Sequence, residues 1–186
     1  MIGTAISRTD IADGRHRPSG VPQNPYCAMM SEDKWYLRER SENLAILLFT
    51  RLKDVAVARP AFSDQGLDFV LSLSRAARRS HRRAGVVVMG FDGSPQGPIS
   101  PDKHQRAFLS EVDTPVFLLA VDMRDEKFYF AWLNRPLPDG HLERAVEPVN
   151  VVRIRAAELA KQLDLARRYY AALDALAPVG RNGNMP

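Results

Sequence analysis

Apolar and polar positions follow two different periods along this chain, and each change of period marks an element. Residues 1–30 keep no period: Gly14, Pro18, Gly20, Pro22 and Pro25 interrupt a polar stretch, which predicts a disordered N-terminal tail. Met29 and Met30, at its end, are alternative starts. Ser31 suits a helix N-cap, and Leu44, Leu47, Leu48 and Leu52 then recur at helical spacing, predicting a helix over 31–54. A short alternating stretch at 55–59 reads as a strand. After a turn at 60–66, a second strand at 67–73 places Leu67, Phe69, Leu71 and Leu73 on one face. Val86-Val87-Val88-Met89 is continuously apolar and β-branched, the pattern of a strand covered on both faces.

A Gly/Pro-rich loop follows at 91–100. Ser100-Pro101 reads as a helix start with proline in the first position, the helix running to about 112. A second buried-type strand at 116–121 turns at 124–126 into an aromatic hairpin partner at 128–133. After a loop at 136–140 come a strand at 149–154 and a long helix at 155–176, with Leu159, Leu163, Ala166, Tyr170 and Leu173 along one side. The end, 178–186, reads as a flexible tail. This order predicts one α/β (α+β) domain over 31–177, a central mixed sheet flanked by helices.

Composition narrows the classes rather than choosing among them. The 186 residues suit one domain plus a tail, and 45% apolar with 26% charged residues is ordinary for a globular protein. No apolar run approaches the roughly 18 residues that cross a bilayer, and the N-terminus lacks a signal-peptide core, so a cytoplasmic protein without membrane contact is expected. The single cysteine, Cys27, excludes an internal disulfide and Cys-rich zinc sites, and the four histidines have no ligand spacing. The net charge of +4 permits nucleic-acid contact without demanding it. Its distribution is more telling, because residues 75–83 concentrate Arg75, Arg78, Arg79, Arg82 and Arg83. A loop cannot bury five guanidinium groups, so they stay in solvent or meet an anion, phosphate among the choices.

One constellation rises above composition. Glu42-Asn43-Leu44-Ala45 lies on the first helix and Asp64-Gln65-Gly66-Leu67-Asp68 opens the second strand. Val86-Val87-Val88-Met89-Gly90 forms the third, and the aromatic hairpin ends in Trp132-Leu133. Over residues 40–135 this order resembles the PD-(D/E)XK, or restriction-endonuclease-like, superfamily, and within it an uncharacterised bacterial branch. The resemblance implies a nuclease fold in a bacterial defence or mobile-element setting. It also implies a phosphodiester-hydrolysing site with Mg2+ or Mn2+ held by carboxylates and a lysine that stabilises developing charge. It places Glu42 at the helical carboxylate and Asp68 at the metal-binding aspartate, with Gly66 allowing the tight entry into the strand and Asp64 a turn former.

The third strand departs from the pattern. Aligned on Gly90, the expected acid or glutamine falls on Val87 and the expected lysine on Met89. Neither side chain binds a metal or offsets negative charge. The simplest expectation is therefore a degenerate nuclease fold that needs no cofactor and binds nucleic acid or a protein partner. The rival keeps catalysis, with Asp92 as a substitute metal ligand beside Asp68 and Lys103 as a migrated lysine. A third reading is an interaction module that forms a homo-oligomer through the hairpin or last helix. Each residue also has an ordinary alternative: Glu42 as a solvated helix residue, the arginines as a solvated loop, and Trp35, Tyr129 and Trp132 as core or interface aromatics.

Overall fold

A computed structural model describes residues 35–60, 66–73, 82–145 and 148–176. The predicted tails, Asp64 and the basic residues Arg75, Arg78 and Arg79 lie outside them.

The described residues form a mixed seven-stranded sheet with three helices. The elements run α1 (Trp35–Thr50), β1 (Ala56–Ala58), β2 (Phe69–Ser72), β3 (Arg83–Phe91), α2 (Lys103–Glu111), β4 (Val116–Asp122), β5 (Lys127–Pro136), β6 (Leu142–Arg144), β7 (Val152–Ile154) and α3 (Ala156–Leu176). The sheet order is β1-β2-β3-β4-β5-β6, with β7 pairing β5 beside β6. The first three strands form an antiparallel meander. β3 and β4 are parallel and need a crossover, which α2 supplies, while β4 and β5 form a hairpin.

The alternation along the strands divides the core in two. Val86, Val88, Phe117, Leu119, Val121, Phe130 and Ile154 pack with Ala45, Leu48 and Phe49 of α1, with Leu52 just after it, and with Leu159, Leu163 and Ala166 of α3. Val87, Val116, Leu118, Ala120 and Leu133 pack with Leu109 of α2. Helices thus cover both faces, and every residue of β4 is buried, as its unbroken apolar run requires. Phe49, Phe69, Phe117, Phe130 and Trp132 form a chain of edge-on and tilted rings on the α1 face, with centroids 5.1–6.4 Å apart.

Several boundaries differ from the sequence reading, each for a local reason. The buried stripe of α1 is Ala45, Leu48 and Phe49, continued by Leu52 just past its end; of the expected row, Leu48 and Leu52 are buried whereas Leu47 is exposed. The helix stops at Thr50 rather than 54, and Asp54 sits at a φ of 56° in the reversal that follows. The cap of α2 is Asp102, not Ser100. Its carboxylate accepts from the Gln105 backbone N–H at 2.8 Å, while the Gln105 side chain accepts from the Asp102 N–H at 3.0 Å. β3 extends from Arg83 to Phe91, well beyond the apolar run. β6 escaped the sequence reading because its three residues, Leu142, Glu143 and Arg144, have no strand period of their own.

Candidate functional site

Glu42 lies on the same helical stripe as Ala45 and Phe49, one turn earlier, so the packing that seats α1 on the sheet also buries its carboxylate. Only 6% of the residue is exposed. Its position is tightly determined, because α1 crosses β3 where β3 has no side chain. A Cβ on Gly90 would lie 2.7 Å from the Leu37 carbonyl oxygen and 3.2 Å from the Ser41 Cβ. Asp68 enters from the sheet, one residue before β2. Its backbone N–H donates to the Val86 carbonyl at 2.9 Å, and its carboxylate accepts from the Val88 N–H at 2.7 Å. The side chain thereby continues the ladder where the backbone leaves it. Gly66, two residues earlier, has a φ of +68°, which explains glycine at that entry.

Glu42 and Asp68 are brought together through arginines. Arg38, one turn before Glu42 on α1, donates Nε to Glu42 Oε1 at 3.0 Å and Nη2 to Asp68 Oδ1 at 3.1 Å. Arg59, just past β1, donates Nη1 to Glu42 Oε2 at 2.7 Å, with its guanidinium carbon 5.3 Å from the Phe69 ring centroid. Each oxygen of the two carboxylates therefore has a donor. Burial pushes the Asp68 carboxyl above its ordinary range, outweighing the Val88 N–H and the Arg38 charge, and the nearby Glu42 acts in the same direction as burial. The hydrogen bond to Glu42 holds Arg38 firmly protonated.

The other sequence-derived candidates are elsewhere. Val87 is fully buried and Met89 partly so, both in the cluster beneath α2, whereas Glu42 faces β3 from the α1 side. These positions serve as core, and an acid or lysine there would point away from Glu42. Asp92 follows the end of β3, exposed, with Arg124 Nη2 3.4 Å from its carboxylate. Four residues of strand separate it from Val88, where Asp68 is held, roughly 13 Å at about 3.3 Å per residue. Lys103 is exposed on the first turn of α2, and no hydrogen bond or ion pair joins it to Glu42 or Asp68.

No group of three or more His, Cys, Asp or Glu residues that could hold a metal ion occurs among the described residues. The oxygens of Glu42 and Asp68 are engaged by guanidinium and backbone N–H donors.

Of the basic segment, Arg82 and Arg83 are described. Arg82 is mostly buried, with 12% of its side chain exposed, and pairs with Asp174 of α3. Arg167 donates to the Leu73 carbonyl at 3.2 Å from the same helix. Arg82 therefore fastens the start of β3 to α3 instead of projecting as a free cation. Arg83 is exposed, and its carbonyl accepts from the Tyr170 hydroxyl at 2.8 Å.

A second polar cluster, absent from the sequence reading, closes the β4–β5 hairpin. Asp122 is 1% exposed; it accepts from Ser94 Oγ at 2.9 Å and from the backbone N–H groups of Arg124 and Asp125 at 3.0 and 3.2 Å. Tyr129 donates to Ser94 Oγ at 2.8 Å. Although burial opposes it, these donors hold the Asp122 carboxyl below its ordinary range. The Ser94 contacts tie the loop after β3 to the hairpin and the backbone contacts close the hairpin turn, so the cluster's role is structural.

Arg38 was legible as a partner at i−4 from Glu42. Arg59 had no such signal, because only the pairing of β1 at the sheet edge carries it to α1. No helix among the described residues is long and apolar enough to cross a membrane. No protein-family model, no curated protein and no solved structure matches this chain.

Proposed function

We propose that this chain is a restriction-endonuclease-like domain that has lost metal-dependent cleavage and binds nucleic acid. The fold assignment is supported by the order of a helix, a three-stranded meander, a crossover helix and a strand parallel to the third, with α1 and α2 on opposite faces. The observation that carries the functional reading is the state of Glu42 and Asp68. They meet from α1 and the entry to β2, as a phosphodiesterase site requires, yet their oxygens are taken by Arg38, Arg59 and the Val88 N–H. A site of this kind presents guanidinium groups outward where a nuclease would present a metal. Cations of that type recognise phosphate without cleaving it.

The test is hydrolysis of labelled duplex and single-stranded DNA and of RNA with magnesium or manganese. Little or no cleavage is expected, because losing a metal ligand and a lysine each removes several kcal/mol of transition-state stabilisation. Robust cleavage that disappears in Asp68→Ala would overturn the reading. Nucleic-acid retention without cleavage is the positive outcome. No retention at low salt would favour a protein partner or an oligomer instead.

A further inference from the structure

We infer that Arg38 and Arg59 form a two-guanidinium clamp for a phosphodiester of a nucleic-acid strand; this rests on the nucleic-acid reading above and assigns its point of contact.

The first support is orientation. Both guanidiniums bind the same buried carboxylate, Arg38 on Oε1 of Glu42 and Arg59 on Oε2, so they flank one point on the surface. Arg38 is further fixed by Asp68, and Arg59 lies against the Phe69 ring. Two long side chains that would lose rotamer freedom on binding are thus held in advance.

The second support is capacity. A guanidinium carries five N–H groups. Arg38 uses two of them on Glu42 and Asp68, and Arg59 uses one on Glu42. The side chains are 72% and 62% exposed. Unused donors on both groups therefore face solvent, where a phosphate can accept from two forks at once.

Charge selects the ligand. Two arginines and two carboxylates make a cluster that is neutral overall. A phosphodiester adds one negative charge to it, whereas a phosphomonoester dianion adds up to two, so the strand backbone is the better guest. The same balance limits each contact to a modest gain, so the clamp positions a strand that other contacts help to hold. Arg82, the described member of the basic segment that turns inward to Asp174, does not compete for this role.

The test measures binding of a short fluorescein-labelled DNA duplex by anisotropy across a salt series. The main variant is R38Q/R59Q/E42Q, which removes the clamp without leaving Glu42 as an unpaired buried charge. R135Q, a distant exposed arginine, matches its change in net charge, and circular dichroism with thermal melting checks the fold. The clamp predicts a loss of affinity of about tenfold per guanidinium and a fall in salt slope of about 0.9 per lost phosphate contact, with R135Q near the parent. Arg59→Gln alone leaves Arg38 to pair with Glu42, so it reads one half of the clamp even if the triple variant folds poorly. A folded triple or single variant with the parent's affinity and slope overturns the clamp and leaves the nucleic-acid reading standing. A parent that does not bind at low salt overturns both.

Discussion

Two largely buried aspartates, one just before β2 and one at the end of β4, have proton affinities shifted in opposite directions, and the difference lies in their neighbours. Asp68 has burial and the adjacent Glu42 working against its charge, with the Val88 N–H and Arg38 working for it, and its carboxyl is raised. Asp122 is also desolvated, but it collects two backbone N–H groups and the Ser94 hydroxyl, with Lys127 nearby, and its carboxyl is lowered. The linkage signs therefore oppose each other. The favourable contribution of Asp68 is complete below the unfolded value of about 3.9 and is lost as pH rises through its higher folded value. Asp68→Asn should accordingly gain stability relative to the parent across that interval and level off above it. Asp122 contributes stability above about 3.9 that is lost as pH falls through its lower folded value. Asp122→Asn should be less stable than the parent at neutral pH, and the gap should close in acid. Urea melts of the three proteins over a pH series check both, and two gaps moving in the same direction would contradict the assigned environments.

At the scale of elements, the contact of α1 with β3 decides whether the carboxylates meet. Gly90 provides the bare backbone against which Leu37 and Ser41 rest. The obstruction at 2.7 Å is the Leu37 carbonyl oxygen, which belongs to the helix backbone and cannot rotate away. Gly90→Ala should cost about 1–3 kcal/mol through overpacking, and it should displace Glu42 from Arg59 and Asp68. Denaturant unfolding measures the first effect, and loss of duplex affinity beyond that of Arg59→Gln measures the second. An alanine variant as stable as the parent would show that α1 is free to lift. The capping box of α2 is a separate device that makes no hydrogen bond to either arginine. Asp102→Ala should lower stability by about 1 kcal/mol while leaving binding unchanged.

For the molecule as a whole, the parallel β3–β4 pair is the centre about which everything else is arranged. β4 is buried along its whole length, β3 through most of its own, and the two helical layers meet them from opposite sides. Native-state hydrogen exchange should be slowest in β4 and the middle of β3, approaching the global unfolding free energy. β1, a three-residue strand at the sheet edge with two exposed residues, should exchange among the fastest strands. Faster exchange in β4 than in β1 would mean that the crossover is not the stable core. This gradient matters for the candidate site, because Arg59 hangs from the end of β1 whereas Asp68 and Glu42 are anchored to β3.

The chain's own periods were enough to indicate the class of fold, because alternation, unbroken apolar runs and helical stripes reflect how each segment is covered. They placed the buried central strands, the aromatic hairpin and the last helix, and they marked Asp68 as an unusual acid for a strand, whereas Glu42 stood out only through the family resemblance. The choice of stripe on α1 was not legible there. Leu44 and Leu47 are as apolar as Ala45 and Phe49, and only the approach of Gly90 selects the rotation that buries Glu42. Nor could local patterns show that Val87 and Met89 face the α2 layer, that Arg82 turns inward to Asp174, or that Arg59 reaches Glu42. Pairings between residues 17 to 92 positions apart leave no local period. Tertiary structure decided them, because burying a carboxylate requires donors wherever in the chain they can be found.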